Sequence, residues 1–244
     1  MGLPWLLLVL LVLDLVLHSK GAIVYSLVFV ILATFFVTAC TDYEGMIDDD
    51  YEKWVKQQSF DPSVMPSTAV MGNFTDPRDG QVYRTAIIGS QEWMAQNLNY
   101  STSNSSCYEG ENAYCATYGR YYMWSAAQTA CPNGWRLPSY SDWSEMFSAI
   151  GGISTAAPKI KASGGWSSGE NGVNTYGFSA LPAGYSSRNT DYYGMGHNAY
   201  FWSSTEKGSS FVYSVRIEYD YKYAEFNEEL KYYALSIRCI KNSN

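Results

Sequence analysis

Five cysteines, one histidine beyond residue 40 and a run of carboxylates near the C-terminus are the side chains of this sequence best suited to chemistry. The cysteines stand at 40, 107, 115, 131 and 239. No C-x-x-C pair occurs and only His197 is available to join them, so their spacing does not make a metal-thiolate site. One histidine also leaves no basis for a Ser-His-Asp set, and its setting, Gly194-Met195-Gly196-His197-Asn198, reads as an exposed loop. A glycosidase needs two carboxylates across a cleft. Glu218, Asp220, Glu225, Glu228 and Glu229 are candidates, but their crowding around Tyr219 to Tyr233 reads as a solvated, charged hairpin. Glu170, Asn171, Asn174 and Glu206 have oxygens of the kind hard cations take, yet a Gly/Asn-rich loop is more simply a set of turns. No cofactor is therefore expected, and calcium is kept as the lesser alternative. What remains is aromatic. Trp166, Tyr176, Tyr185, Tyr192, Tyr193, Tyr200 and Trp202 fall in one loop-rich region. Such rings stack on sugars and anchor protein interfaces at little entropic cost. Phe201 and Trp202 sit in a buried-strand pattern and are assigned to the core, leaving Trp166, Tyr185, Tyr192 and Tyr193 as the expected ligand contacts.

These residues must be positioned by something. The apolar fraction of the 244-residue chain is that of a globular protein, and 22 of its aromatics are Tyr, which suits strands and wet surfaces. The net charge of −7 excludes a nucleic-acid partner on electrostatic grounds. Gln81 to Ile88, Gly89-Ser90 and Gln91 to Met94 read as strand, turn, strand. Tyr121 to Ala130 reads as a short helix stopped by Pro132-Asn133-Gly134. A second helix starts at Ser139, with Asp142 completing a cap and Trp143, Met146, Phe147 and Ile150 on one face, and ends at Gly151-Gly152. Ser154 to Asn198 is a Gly/Ser/Asn-rich loop region interrupted by a strand-like Tyr176 to Leu181. Phe211 to Tyr219 alternates as a strand, and a last strand is expected from Ala234 to Ile240. Strands at both ends with two helices between give an α+β domain with a small antiparallel sheet.

The N-terminus carries two apolar runs, Leu3 to Leu17 and Gly21 to Ala39, separated by His18-Ser19-Lys20. Lys20, the second run and Val37-Thr38-Ala39-Cys40 have the layout of an export signal, and the last four residues resemble the bacterial lipobox. Cys40 is then the lipidated first residue. The alternative is an uncleaved apolar anchor. Either way the chain is placed on the non-cytoplasmic side of a bacterial membrane, facing the periplasm or exterior. Residues 1–39 are assigned to the export signal or anchor, 40–74 to an acidic tether with breakers at Pro62 and Pro66, and 75–241 to the folded domain. Setting Cys40 aside leaves four cysteines in an oxidising compartment, hence two disulfides. Three connectivities are open. Cys107 with Cys115 and Cys131 with Cys239 is preferred, the first closing a short polar loop and the second tying the middle of the domain to its end.

Seven segments carry a resemblance. They are Asp79-Gly80-Gln81-Val82-Tyr83 with Glu92-Trp93-Met94-Ala95-Gln96-Asn97-Leu98, Tyr118-Gly119-Arg120-Tyr121-Tyr122-Met123-Trp124, Cys131-Pro132-Asn133-Gly134-Trp135-Arg136-Leu137-Pro138, Gly177-Phe178-Ser179-Ala180-Leu181-Pro182-Ala183-Gly184, Phe201-Trp202-Ser203-Ser204 and Ser236-Ile237-Arg238-Cys239. In this order they resemble the Fibrobacter succinogenes major paralogous domain family of exported bacterial domains, over roughly Phe74 to Lys241. The resemblance implies a C-type-lectin-like fold, a Cys131–Cys239 link between helix and terminal strand, and ligand sites in the loop region. It brings no established reaction. Arg136-Leu137-Pro138 is similar to an architectural motif of formylglycine-generating enzymes, and Arg136 is accordingly read as structural. The redox-active cysteines of those enzymes have no counterpart, and the Glu-Pro-Asn, Gln-Pro-Asp and Trp-Asn-Asp motifs of calcium-dependent lectins are absent. The expectation is a non-catalytic surface module that holds an extracellular polysaccharide or surface protein, with a carbohydrate-active or formylglycine-generating-like enzyme and a structural envelope lipoprotein as alternatives.

Overall fold

The computed structural model describes residues 69–188 and 190–242. Cys40, the expected export signal and most of the expected tether lie outside them. The tether's last residues do not: β1 (Val70–Thr75) pairs antiparallel with β2 (Val82–Ile88), so the folded unit starts earlier than residue 75. β2 turns into β3 (Gln91–Met94) through Gly89-Ser90, where Gly89 takes φ +63° and a Cβ would press on Ala149.

The chain then crosses the molecule. β4 (Ser105–Ser106) and the 3-10 turn Tyr108–Gly110 lead to α1 (Asn112–Tyr118), and Cys107 is bonded to Cys115 across this segment. β5 (Tyr121–Met123) precedes α2 (Trp124–Ala130), so the expected helix from Tyr121 starts three residues late. The reason is pairing: Tyr122 and Met123 face Leu235 and Ala234 in a ladder that a helix would forfeit. β6 (Trp135–Arg136) follows, then α3 (Tyr140–Ala149), whose capping box joins Ser139 and Asp142 reciprocally. Trp143, Met146 and Phe147 recur at helical spacing and are its buried face. A single turn, α4 (Ala157–Ile160), is the last α-helix among the described residues, with a 3-10 turn following at Ser167–Gly169.

The remainder is antiparallel. β7 (Tyr185–Ser187) and β8 (Asp191–Tyr193) form a hairpin, followed by β9 (Asn198–Glu206), β10 (Phe211–Glu218), β11 (Ala224–Leu230), β12 (Tyr233–Leu235) and β13 (Ile240–Lys241). Among the described residues three sheets result, ordered β1-β2-β3-β13-β6, β11-β10-β9 and β4-β5-β12-β7-β8. Two expected strands are not regular. Ala234 to Ile240 is split, because the chain changes sheets between β12 and β13. Tyr176 to Leu181 has only the bridge Lys161↔Ala180, its Phe178 and Ser179 carbonyls being turned to Arg238 instead.

β9 is buried on both faces and divides two cores. Phe201 points to a cluster with Trp93, Trp143, Phe147, Phe178, Val215 and Ile217. Trp202 points the other way, to Met94, Leu98, Tyr122, Trp124, Val212, Leu235 and Ile237.

Candidate functional site: a tyrosine shelf

The hairpin β7–β8 enters its site through Gly184. This residue takes φ +72°, donates its N–H to the Asn198 carbonyl at 2.6 Å, and has no room for a Cβ, which would collide with the Tyr193 carbonyl. The hairpin is thereby fixed against β9. Tyr185 and Tyr193 are directly paired across it, with ring centroids 5.5 Å apart. Tyr185 also lies 5.1 Å from the ring of Tyr200 and 5.7 Å from that of Tyr233, the last pair inclined by only 27°. Tyr232 extends the row, edge-on to Tyr233 at 5.2 Å and with the Arg188 guanidinium over its ring. Tyr200 is buried, Tyr185 and Tyr233 are half-buried, and Tyr193 and Tyr232 are 48% and 41% exposed. The rings grade from core to solvent as a shelf.

One face of the β9–β10–β11 sheet continues the shelf with charge. Arg216 stands opposite Tyr200 on one side and Glu225 on the other, bonds to both, and reaches Glu218 at 2.9 Å. Burial opposes the Arg216 charge, but the Tyr200 and Glu225 hydrogen bonds outweigh it and raise its pKa. Glu229, opposite Val212, lies on the same side by strand alternation. It is half-buried, and among the described residues it has no hydrogen bond or ion-pair contact. Burial pushes its carboxyl above the ordinary range, and the charge of Arg216 offsets this only in part. Burial, with the nearby Tyr233, Glu229 and Tyr193 adding to it, likewise raises the Tyr185 phenol. Ser214, between Val212 and Arg216 on this face, is fully buried with a hydroxyl that has no partner among the described residues.

Of the four expected contact residues the structure brings Tyr185 and Tyr193 together. Tyr192 is turned to the other side of the hairpin, where its ring packs 5.0 Å from Tyr108 and 5.8 Å from Tyr121, over the Cys107–Cys115 segment. Trp166 is a correction: it is 4% exposed, its indole N–H donates to the Ala180 carbonyl at 3.1 Å, and Lys161 covers its ring. With both edge and face occupied it is a core residue. Tyr233 is absent from the residues singled out by sequence, and Glu229 stands there only among the carboxylates of a solvated hairpin. Tyr233 sits two residues before the buried Leu235 and so shares its face, but the strand it belongs to is too short to display an alternation.

Other candidates are filled by their own partners. A recess of about 490 Å³ is lined by Gln91, Glu92, Arg136, Asp142, Glu145 and Lys241. There Arg136 is held bidentate by Asp142 at 2.6 and 2.7 Å, Lys241 pairs with Glu92 at 2.6 Å, and Ser90 donates to Glu145 at 2.6 Å. The Asp142 carboxyl is lowered, since Arg136 and Ser139 outweigh its burial, as befits an ion pair bracing the start of α3. His197 is exposed and rests against Tyr219 at 5.1 Å. Among the described residues no group of three His, Cys, Asp or Glu side chains is placed to hold a metal ion.

The sequence motifs converge elsewhere, on Arg238. This guanidinium is completely buried, and its hydrogen-bond partners among the described residues are amide and carbonyl oxygens, none of them a carboxylate. It donates to Asn97 Oδ1 at 2.6 Å, to the Met94 carbonyl at 3.2 Å, to the Phe178 carbonyl and to the Ser179 carbonyl at 2.7 Å, with its plane 4.6 Å from the Phe178 ring. Asn97 in turn donates to Ser236 Oγ at 3.2 Å and to the Tyr118 carbonyl at 2.8 Å. Cys239 beside it is bonded to Cys131, with Cα atoms 5.9 Å apart. Five of the quoted segments therefore meet in one buried knot.

The same segments fall within a wider match: residues 87–241 fit the family model described as the Fibrobacter succinogenes major domain. The chain belongs to this family. No curated protein and no solved structure matches it. The part matching the Fibrobacter succinogenes major domain holds the Arg238 knot, both disulfides and the whole tyrosine shelf, whereas β1 precedes it.

Proposed function

We propose that this chain is a non-catalytic, exported binding module, anchored in the bacterial cell envelope by Cys40 or its apolar N-terminus, that holds an extracellular polysaccharide on the shelf of Tyr185, Tyr193, Tyr233 and Tyr232. The observation that carries this reading is the graded packing of those rings, in which buried Tyr200 and half-buried Tyr185 fix the exposed Tyr193 in place. Rigid aromatics that keep a face to solvent lose little entropy on stacking. A C-type-lectin-like arrangement is part of the reading. It is supported by the chain's first and last strands sharing a sheet, by the Cys131–Cys239 link, and by the loop-rich stretch before a separate three-stranded sheet. The acidic residues of β10 and β11 serve the shelf and are not a hydrolytic pair, since Arg216 holds two of them.

Co-sedimentation of the full chain, solubilised in detergent, with insoluble cellulose, xylan and chitin tests this. Retention by at least one polymer is expected, equally in calcium and in chelator. Retention by none, with capture by an envelope protein instead, sinks the polysaccharide reading.

A further inference from the structure

Resting on that reading, we infer that Glu229 is the specificity-determining residue of the shelf: its carboxylate accepts hydrogen bonds from paired hydroxyls of a neutral glycan stacked on Tyr185 and Tyr193, without a metal, and the shelf turns acidic polymers away. The argument begins with a polar group left without a partner. A carboxylate taken partly out of water is costly unless hydrogen-bonded. Every other carboxylate bonded on this sheet is held by a cation, Glu218 and Glu225 by Arg216, Glu228 by Lys207 and Glu206 by Lys231. Glu229 is not, although it is among the more enclosed of them, and Tyr185 feels its charge. Arg216 is committed to Tyr200, Glu225 and Glu218 and has no free edge to offer it.

A second group on the same face also lacks a partner. Ser214 Oγ is fully buried, points to the side of the sheet that carries Glu229, and bonds to nothing among the described residues. Ser214 is sealed beneath the surface of the sheet, whereas the half-buried Glu229 carboxyl keeps contact with solvent, so Glu229 is the group that an incoming ligand can complete. The ligand must then present a flat, weakly polar face to the rings and O–H donors to the acceptor. A pyranose with adjacent hydroxyls has both.

Charge decides which glycans qualify. On the shelf and its flank Glu218, Glu225, Glu229 and Asp191 stand against Arg216 and Arg188, two cations for four carboxylates. A uronic acid or sulfate brought here meets repulsion and a carboxylate that cannot donate.

Affinity electrophoresis of the full chain in detergent, through gels holding soluble xylan or hydroxyethylcellulose against gels holding alginate or polygalacturonate, all in chelator, reads this directly. The parent chain is expected to be retarded by a neutral glycan and not by an acidic one. Glu229→Gln, which keeps shape but loses the charge-assisted bonds, is expected to weaken retardation about tenfold. Its fold is checked by an unchanged near-ultraviolet spectrum. If Glu229→Gln is retarded like the parent while Tyr193→Ala is not, the shelf stands and the role of Glu229 falls. Retardation by the acidic polymers overturns the charge argument. No retardation by any glycan overturns this inference together with the reading beneath it.

Discussion

Arg238 takes a positive charge into a place that offers only amide and carbonyl oxygen and aromatic faces. Burial alone pulls its pKa well down, and nearby Arg84 adds to that, yet donors aimed at Asn97, Met94, Phe178 and Ser179 hold it. What this residue contributes is specificity of connection, since no aliphatic side chain can hydrogen-bond two distant segments to the last part of the chain at once. Arg238→Met is expected to lose about 3 kcal/mol or more in denaturant unfolding, the cost of leaving several buried acceptors without donors. A loss near zero would mean that the knot is incidental. Glu229 behaves in the opposite sense. Its folded pKa is raised above the ordinary 4.5, so as pH rises through that value the unfolded chain gives up its proton first and is favoured. The thermal stability of Glu229→Gln relative to the parent should therefore improve from acid to neutral pH. A difference that does not change with pH would show that the carboxyl is not desolvated.

At the scale of elements, covalent links and turns do what short strands cannot. The Cys131–Cys239 bond spans 108 residues, and in the chain-entropy model a loop of that size is worth roughly 4–5 kcal/mol, against about 2–3 kcal/mol for the Cys107–Cys115 loop of 8. Paired replacement of each bridge by alanine should show that order in chemical unfolding, and the reverse order would argue against an entropic account. Both pairings, α3 with its Ser139 cap and the β2–β3 hairpin were legible in the sequence, because each rests on a local or countable signal. The strands that pair by only two or three residues were not. β5 was read as helix from its good helix formers, and β12 and β13 as one strand, because their state is decided by partners far away in the chain. The same holds for the site. Trp166 in a Gly-rich loop looks exposed until Lys161 and Ala180 are seen to enclose it, and the carboxylates of β11 look solvated until the sheet register sets Glu225 on Arg216 and leaves Glu229 half-buried.

Across the whole molecule, the residues that mark the family and the residues proposed to meet a ligand occupy different places. The former close the interior around β9 and Arg238, while the shelf is carried by the β7–β8 hairpin and by β10, β11 and β12, on a face the knot does not reach. With interior and shelf separate, a change of shelf residues alters the ligand without altering the fold. The central claim is that ordered tyrosines, not the buried motifs, hold the ligand. Its most direct test is the affinity of the Tyr185→Ala, Tyr193→Ala double variant for whichever polymer retains the parent, with unfolding measured alongside. The account predicts binding weakened tenfold or more, about 1–2 kcal/mol for anchoring aromatics, with the unfolding transition still cooperative. Undiminished binding by a cooperatively folded double variant would contradict it.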